Sequence, residues 1–254
     1  MVVERSSAGD PGRTLELLWR HELGERSPQR GPRKGRSIDQ VVDAAVELAD
    51  ADGLAAVTMR GVAERLGVST MSMYTYVPGK AELLDLMLDG IYQRMPREPL
   101  ADLPWRERVV EVAARNRELY RLHPWAVKVS TSRPPLGPGL ITKYEHELGA
   151  FLGLGLDDVA IDSALTLVLD FVRSTALAAA ESEAAQRDSA TTDEQWWHTN
   201  APLLAEVFDP AEYPNAARIG AAAGAEHRAA HSPDHAYEFG LDRILDGLAA
   251  LIDG

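Results

Sequence analysis

Residues 58–80, TMRGVAERLGVSTMSMYTYVPGK, decide the fold, because they read as two short helices joined by a tight turn. Val62, Ala63 and Leu66 give the first helix one apolar face. Ala63 is small enough to let a second helix cross closely, and Gly67 suits the left-handed backbone of the turn. Val68, Met73 and Val77 continue the apolar set. Thr58 and Ser69 can each accept a backbone N–H bond at a helix N-terminus, which sets two helix starts about eleven residues apart. The spacing matches a helix-turn-helix, the geometry that enters a DNA major groove.

Upstream, Ser37 and Gln40 form a capping box, and Ile38, Val41, Val42, Ala45, Leu48 and Ala49 recur at helical spacing until about Gly53. Downstream, Ala81, Leu83, Leu84, Met87, Leu88 and Ile91 mark a further helix to about Met95, and Pro96, Pro99 and Pro104 mark a boundary. Residues 37–95 therefore read as a DNA-binding domain. Residues 1–36 are rich in Gly, Pro, Ser and Arg, with only the short amphipathic piece LELLWRHEL, so partial disorder is expected there. Arg26, Arg30, Arg33, Lys34 and Arg36 lie among Pro28, Gly31, Pro32 and Gly35 as a flexible basic arm. Such an arm reaches a minor groove or phosphates, or only solubilises; its ending at the start of a DNA-binding helix favours contact.

The remaining residues, 96–254, keep a helical period without strand alternation, so the chain reads as all-α. Helices are expected over 105–122, 140–152, from 156 to about 185, over 195–207 and over 236–252, with an irregular stretch at 209–232. The chain has 254 residues, 45% apolar, and carries a net charge of −13. The acidity is uneven: residues 1–98 hold 13 basic against 15 acidic side chains, residues 99–254 hold 13 against 24. That split is at odds with nonspecific DNA packaging. No cysteine is present, which excludes disulfides, thiolate metal sites and cysteine nucleophiles. The absence of a run of eighteen apolar residues or a secretory signal in the sequence leads to the expectation of a cytoplasmic protein with no membrane partner.

The four N-terminal helices, with AAVELADADGL, VTMRGVAERLGVSTMSMYTYVPGKAELLDLML and the later EFGLDRILDGLAAL, resemble the TetR family of bacterial transcriptional regulators. The resemblance implies a homodimer that binds a palindromic operator in double-stranded DNA. A small-molecule effector held by the C-terminal domain would release it. By the same resemblance Ser69, Thr70 and Met71 approach base edges, Tyr74, Tyr76 and Lys80 grip phosphates, and Arg60 stands where some members reach a guanine. Independently, Thr70, Ser72, Tyr74, Thr75 and Tyr76 place hydroxyls on the faces left after Met73 and Val77 go to the core. The plainer alternative is that Arg60 and Lys80 are solvated charges, and Tyr76 is as readily a core aromatic. Arg33, Lys34 and Arg36 complete the candidate DNA-binding set.

In the second part, His123, Trp125, Tyr144, Phe171, Arg173, Trp197 and His198 are the candidates for an amphipathic effector pocket, against the plainer reading that large aromatics fill a core. Arg173 sits in the apolar run ALTLVLDFVRSTALAAA and must be paired, with Asp170 the nearest carboxylate, or face a pocket. Ile161, Leu165, Val168 and Val172, with Leu241, Ile244, Leu245 and Leu248, read as a dimer seam forming a four-helix bundle, the alternative being an intramolecular core. His227, His231 and His235 recur every four residues, but Pro233 interrupts the helix that would align them for a metal. No metal site, cofactor or catalytic residue is expected, since phosphate loop, GxSxG and HExxH motifs are all missing from the sequence. A helical small-molecule-binding protein or enzyme without specific DNA binding is the alternative class.

Overall fold

A computed structural model describes residues 4–24 and 36–252. Among them every regular element is helical, apart from one isolated bridge between Arg5 and Ser130. The chain divides into two compact units, residues 1–169 and residues 170–254.

The first unit opens with α1 (Pro11–Leu18) and α2 (Arg20–Gly24). The flexibility expected of residues 1–36 does not extend to this stretch. Asp10 caps α1 through Arg13 N–H, and Leu17 and Leu18 are buried in the main core. The physical reason is tertiary: an amphipathic segment too short to hold alone is stabilised by the apolar surface it covers. Helix α3 (Ile38–Asp52) starts with the Ser37–Gln40 capping box and ends at Gly53, φ +81°. A 3-10 turn (Leu54–Ala56) leads to α4 (Met59–Leu66), α5 (Thr70–Tyr76) and α6 (Lys80–Arg94). Then follow α7 (Trp105–Leu122), a 3-10 turn (Ala126–Lys128) and α8 (Pro138–Leu148).

One apolar core joins these pieces. It runs from Leu17 and Leu18 through α3, α4, α5 and α6 to Leu119, Trp125, Ala126 and Val129. Compactness therefore does not end at residue 95. Helices α6 and α8 approach closely because Gly139 has no side chain: a Cβ there would stand 2.1 Å from the Asp89 carbonyl oxygen. At the same point the Asp89 carboxylate accepts the free N–H groups of Gly139 and Leu140 at 3.2 and 2.8 Å, a negative charge at the positive end of α8.

Helix α9 (Asp158–Ser189) crosses from the first unit into the second. By length and composition alone it is the one described helix long and apolar enough to cross a membrane, and only 22% of its most apolar stretch is buried inside the chain. The second unit continues with α10 (Asp193–Val207), α11 (Pro214–His227) and α12 (Pro233–Ile252). Helix α11 corrects the expectation of an irregular stretch over 209–232. Pro214 sits at its first turn, where the missing N–H costs nothing, and its alanines supply high propensity that the interspersed glycines masked.

Candidate nucleic-acid interface

The surface at α4 and α5 is built by two caps and a turn. Thr58 Oγ1 accepts from Gly61 N–H at 2.9 Å and Ser69 Oγ from Ser72 N–H at 3.1 Å. Between them Gly67 adopts the left-handed conformation, φ +69°. Val62, Ala63, Met73 and Val77 are buried where the two helices cross. This fixes which face of α5 looks outward. Met71 is 78% exposed and Tyr74 50%, beside exposed Thr75. Thr70 and Ser72 are half-buried, and Ser72 Oγ shares a hydrogen bond with Ser69 Oγ at 2.8 Å. Tyr76 is half-buried and packs against the core.

The cations of this surface already hold partners. Arg60 donates to Glu64 at 2.7 Å one turn along α4, an exposed pair that holds the guanidinium pKa above its usual value. Arg65 pairs with Glu47 at 3.0 Å, and Arg94 pairs with Asp43. Lys80 Nζ meets Glu4 Oε1 at 2.7 Å, a half-buried pair spanning distant parts of the sequence. Arg36 donates to the Leu66 carbonyl at 3.3 Å, at the C-terminal end of α4. Arg33 and Lys34 lie outside the described residues, as do Arg26 and Arg30.

The expected effector residues fall in both units. In the first unit, His123 Nδ1 and Trp125 Nε1 each meet Asp50 Oδ1 at 2.8 Å, and Trp125 is buried. They fasten the end of α7 to α3, because a buried indole N–H needs an acceptor and Asp50 is the one in reach. Tyr144 is exposed and donates to Asp162 at 2.7 Å, a bond that raises its pKa. In the second unit, Phe171 stacks on Tyr237 with centroids 6.0 Å apart and lies against Gly240. Trp197 lies against Gly224 and stacks on Trp196, His198 is exposed, and Arg173 is half-buried and partnered.

A polar cluster that sequence reasoning missed lies between α7 and α8. Lys143 Nζ donates to Glu147 Oε2 at 2.6 Å, Asn116 Nδ2 donates to Glu147 Oε1, and all three side chains are buried. Beside it a cavity of about 10 Å3, room for roughly one water, is bounded by Met95, Arg97, Glu111, Arg115 and His146. Burial pushes the His146 imidazole pKa down. The only hint in the sequence is the i, i+4 spacing of Lys143 and Glu147, which an exposed ion pair shares.

Of the expected dimer seam, Ile161, Leu165, Val168, Val172, Leu241, Leu245 and Leu248 are buried within the single chain and Ile244 is half-buried. The exposed apolar residues of these helices are instead Val159, Leu167, Phe239 and Leu251. Among the described residues no group of three potential ligands could hold a metal; His227 and His235 lie with ring centroids 4.8 Å apart.

Comparison with known proteins follows the same division. Residues 41–87 match the DNA-binding domain described as bacterial regulatory proteins, tetR family, and residues 98–252 match the tetracyclin repressor-like C-terminal domain. The chain is 42% identical over 251 residues to the HTH-type transcriptional repressor DrrR1 of Streptomyces coeruleorubidus, covering 98% of this chain and 89% of that one. It is 33% identical over 135 residues to an HTH-type transcriptional regulator of Saccharopolyspora erythraea, covering 53% and 57% of the two. Among solved structures, the TetR family protein ActR of Streptomyces coelicolor, in complex with (S)-DNPA, superposes with a TM-score of 0.69 at 25% identity, covering 86% of this chain and 99% of that one.

Proposed function

We propose, from the premise that this chain belongs to the TetR family of bacterial regulatory proteins, that it is a ligand-responsive transcriptional repressor acting on a palindromic operator in the cytoplasm. Residues 37–95 serve as its DNA-binding part and residues 96–254 as its effector-binding and dimerisation part. The observation that carries the reading is the outward face of α5: Met71 and Tyr74 are exposed while Met73 is fully buried on the same capped helix. Met71 suits the methyl group of thymine, while Tyr74, Thr75 and Lys80 suit phosphates. Ser69, Thr70 and Ser72 lie in the first turn, and Arg60 reaches the same side once Glu64 lets it go. Tyr76 serves both core and phosphate.

Two copies joined through the exposed face of α12, at Phe239 and Leu251, would present two recognition helices to successive major grooves. The repressor sense follows the name of the 42% identical relative, and the ligand response follows ActR, solved with a small molecule. The effector site belongs to the part of the chain that matches the tetracyclin repressor-like C-terminal domain, residues 98–252. An effector there needs only to prefer the arrangement in which the two heads no longer match the grooves, a coupling of about 1–3 kcal/mol.

The test is selection of bound duplexes from a random DNA pool, repeated at raised salt to remove purely electrostatic binders. A palindrome should emerge, and Met71→Ala and Tyr74→Ala should each weaken binding to it without unfolding the chain. A folded, dimeric protein that enriches no sequence would overturn the reading.

A further inference from the structure

The N-terminal segment 4–19 is used by nothing in the function proposed above, yet it is tied down along its length. Ser130 N–H donates to the Glu4 carbonyl at 2.9 Å and Ser6 N–H to the Ser130 carbonyl at 3.0 Å. Ser6 Oγ donates to the Arg133 carbonyl at 2.6 Å, and Trp19 Nε1 to the Leu136 carbonyl at 2.8 Å. On the other side, Ser7 and Asp10 donate their N–H groups to Asp85 and Glu82 of α6 at 2.8 and 3.2 Å. Gly9 lies close against Glu82: a Cβ there would stand 2.3 Å from Glu82 Oε1 and would push that side chain aside. The segment thus staples α6 to the 130–136 loop. At its head it places the Glu4 carboxylate on Lys80, the first residue of α6 and the cation nearest in sequence to the recognition helix.

The Arg60–Glu64 pair is a local one on an exposed helix face, which yields readily to phosphate. Glu4 differs because its carbonyl is held by Ser130 N–H and the chain that follows it is tied to α6 through Ser7 and Asp10, which keeps its carboxylate close to Lys80. We propose that Glu4 is a built-in competitor of the DNA phosphate for Lys80, and that the stapled segment is a brake on DNA binding. This rests on the reading of Lys80 as a phosphate contact. A phosphate that takes Lys80 must leave Glu4 unpaired beside a polyanion, so the pair adds almost no net charge to the interface. Because the staple is also fastened to the 130–136 loop, a shift of that loop against α6 would move Glu4 and change how firmly Lys80 is held.

The experiment measures binding of the full chain to a labelled mixed-sequence duplex between about 50 and 200 mM salt, which needs no operator. Glu4→Gln should bind about two- to fivefold tighter than the parent, the span expected for releasing one partly exposed ion pair. Its log–log salt slope should steepen by about 0.9, as one more lysine acts on the phosphates. Lys80→Gln should bind more weakly, and adding Glu4→Gln to it should tighten binding clearly less than Glu4→Gln does in the parent. If Lys80→Gln leaves binding unaltered, Lys80 is no phosphate contact and the proposal falls with that assignment. If Lys80→Gln weakens binding but Glu4→Gln leaves it unchanged or weakens it too, the phosphate contact stands and the brake is wrong. Equal tightening by Glu4→Gln with and without Lys80 would mean a general charge effect, which also overturns the pairing.

Discussion

Helices α6 and α10 each have fifteen residues, yet α6 buries ten of them and α10 buries none. Helix α6 lies inside the first unit, with α1, α3 and α8 packed against it. Helix α10, in the second unit, has a complete capping box at Thr192 and Gln195 but leaves Leu203, Leu204 and Val207 exposed. The neighbouring α11 buries only Gly224. Local signals therefore suffice to start a helix, whereas its contribution to stability depends on what covers it. The first unit is held by its own chain; the second leaves apolar faces exposed.

The largest test of this contrast is a pair of truncations. Leu84→Ala, in the core under α6, should cost about 2–5 kcal/mol in urea unfolding, while Leu204→Ala on α10 should stay within about 0.5 kcal/mol. Comparable losses would mean that α10 is covered within the chain after all. A charge on α12 probes the partner directly. Phe239→Asp should turn a dimer into a monomer in sedimentation while leaving the helical circular dichroism intact, and a persistent dimer would move the seam elsewhere.

Within the first unit, Asp85 is a cost that the packing carries. Burial pushes its carboxyl up to about 6; the Ser7 N–H bond works against that shift and Glu82 adds to it. One of its oxygens is buried without a hydrogen-bond partner. A folded pKa above the unfolded value means that protonation favours the fold. The contribution is complete below about pH 4 and is lost as pH rises through about 6. Asp85→Asn cannot ionise and keeps an acceptor for Ser7. It should exceed the parent in stability by roughly 2–3 kcal/mol near neutral pH, with the gap closing toward pH 4. A gap that does not change with pH would show that Asp85 is not the group responsible.

Two smaller effects sharpen the picture. Asp50→Ala leaves the buried Trp125 indole without its acceptor and should cost about 1–3 kcal/mol, with Asp50→Asn milder because an oxygen remains. Ser69→Ala removes the cap of the recognition helix and should cost about 1 kcal/mol. Operator affinity falling more than stability would tie that cap to DNA as well.

The sequence by itself determined the helix-turn-helix, since its signals are local: Thr58 and Ser69 as caps, Gly67 at positive φ, and an apolar period that names Met73 and Val77 as inward and so leaves Met71 and Tyr74 outward. It likewise determined the all-helical class and most helix limits. What it left open was what covers each apolar stripe. Periodicity marks Leu165, Val168, Leu241 and Leu245 as one face, but an intramolecular core and a dimer seam require the same pattern, and only the fold assigned them to the inside. The same holds for pairings between distant residues. Asp50 with Trp125, Glu4 with Lys80 and Asn116 with Glu147 leave no periodic trace, because each partner is chosen by where the chain brings it, and a buried donor or charge takes the acceptor within reach. Tertiary packing also decided the fate of residues 4–24. Alone they lack the length to hold a helix; against α3 and α6 they gain the apolar contact that does.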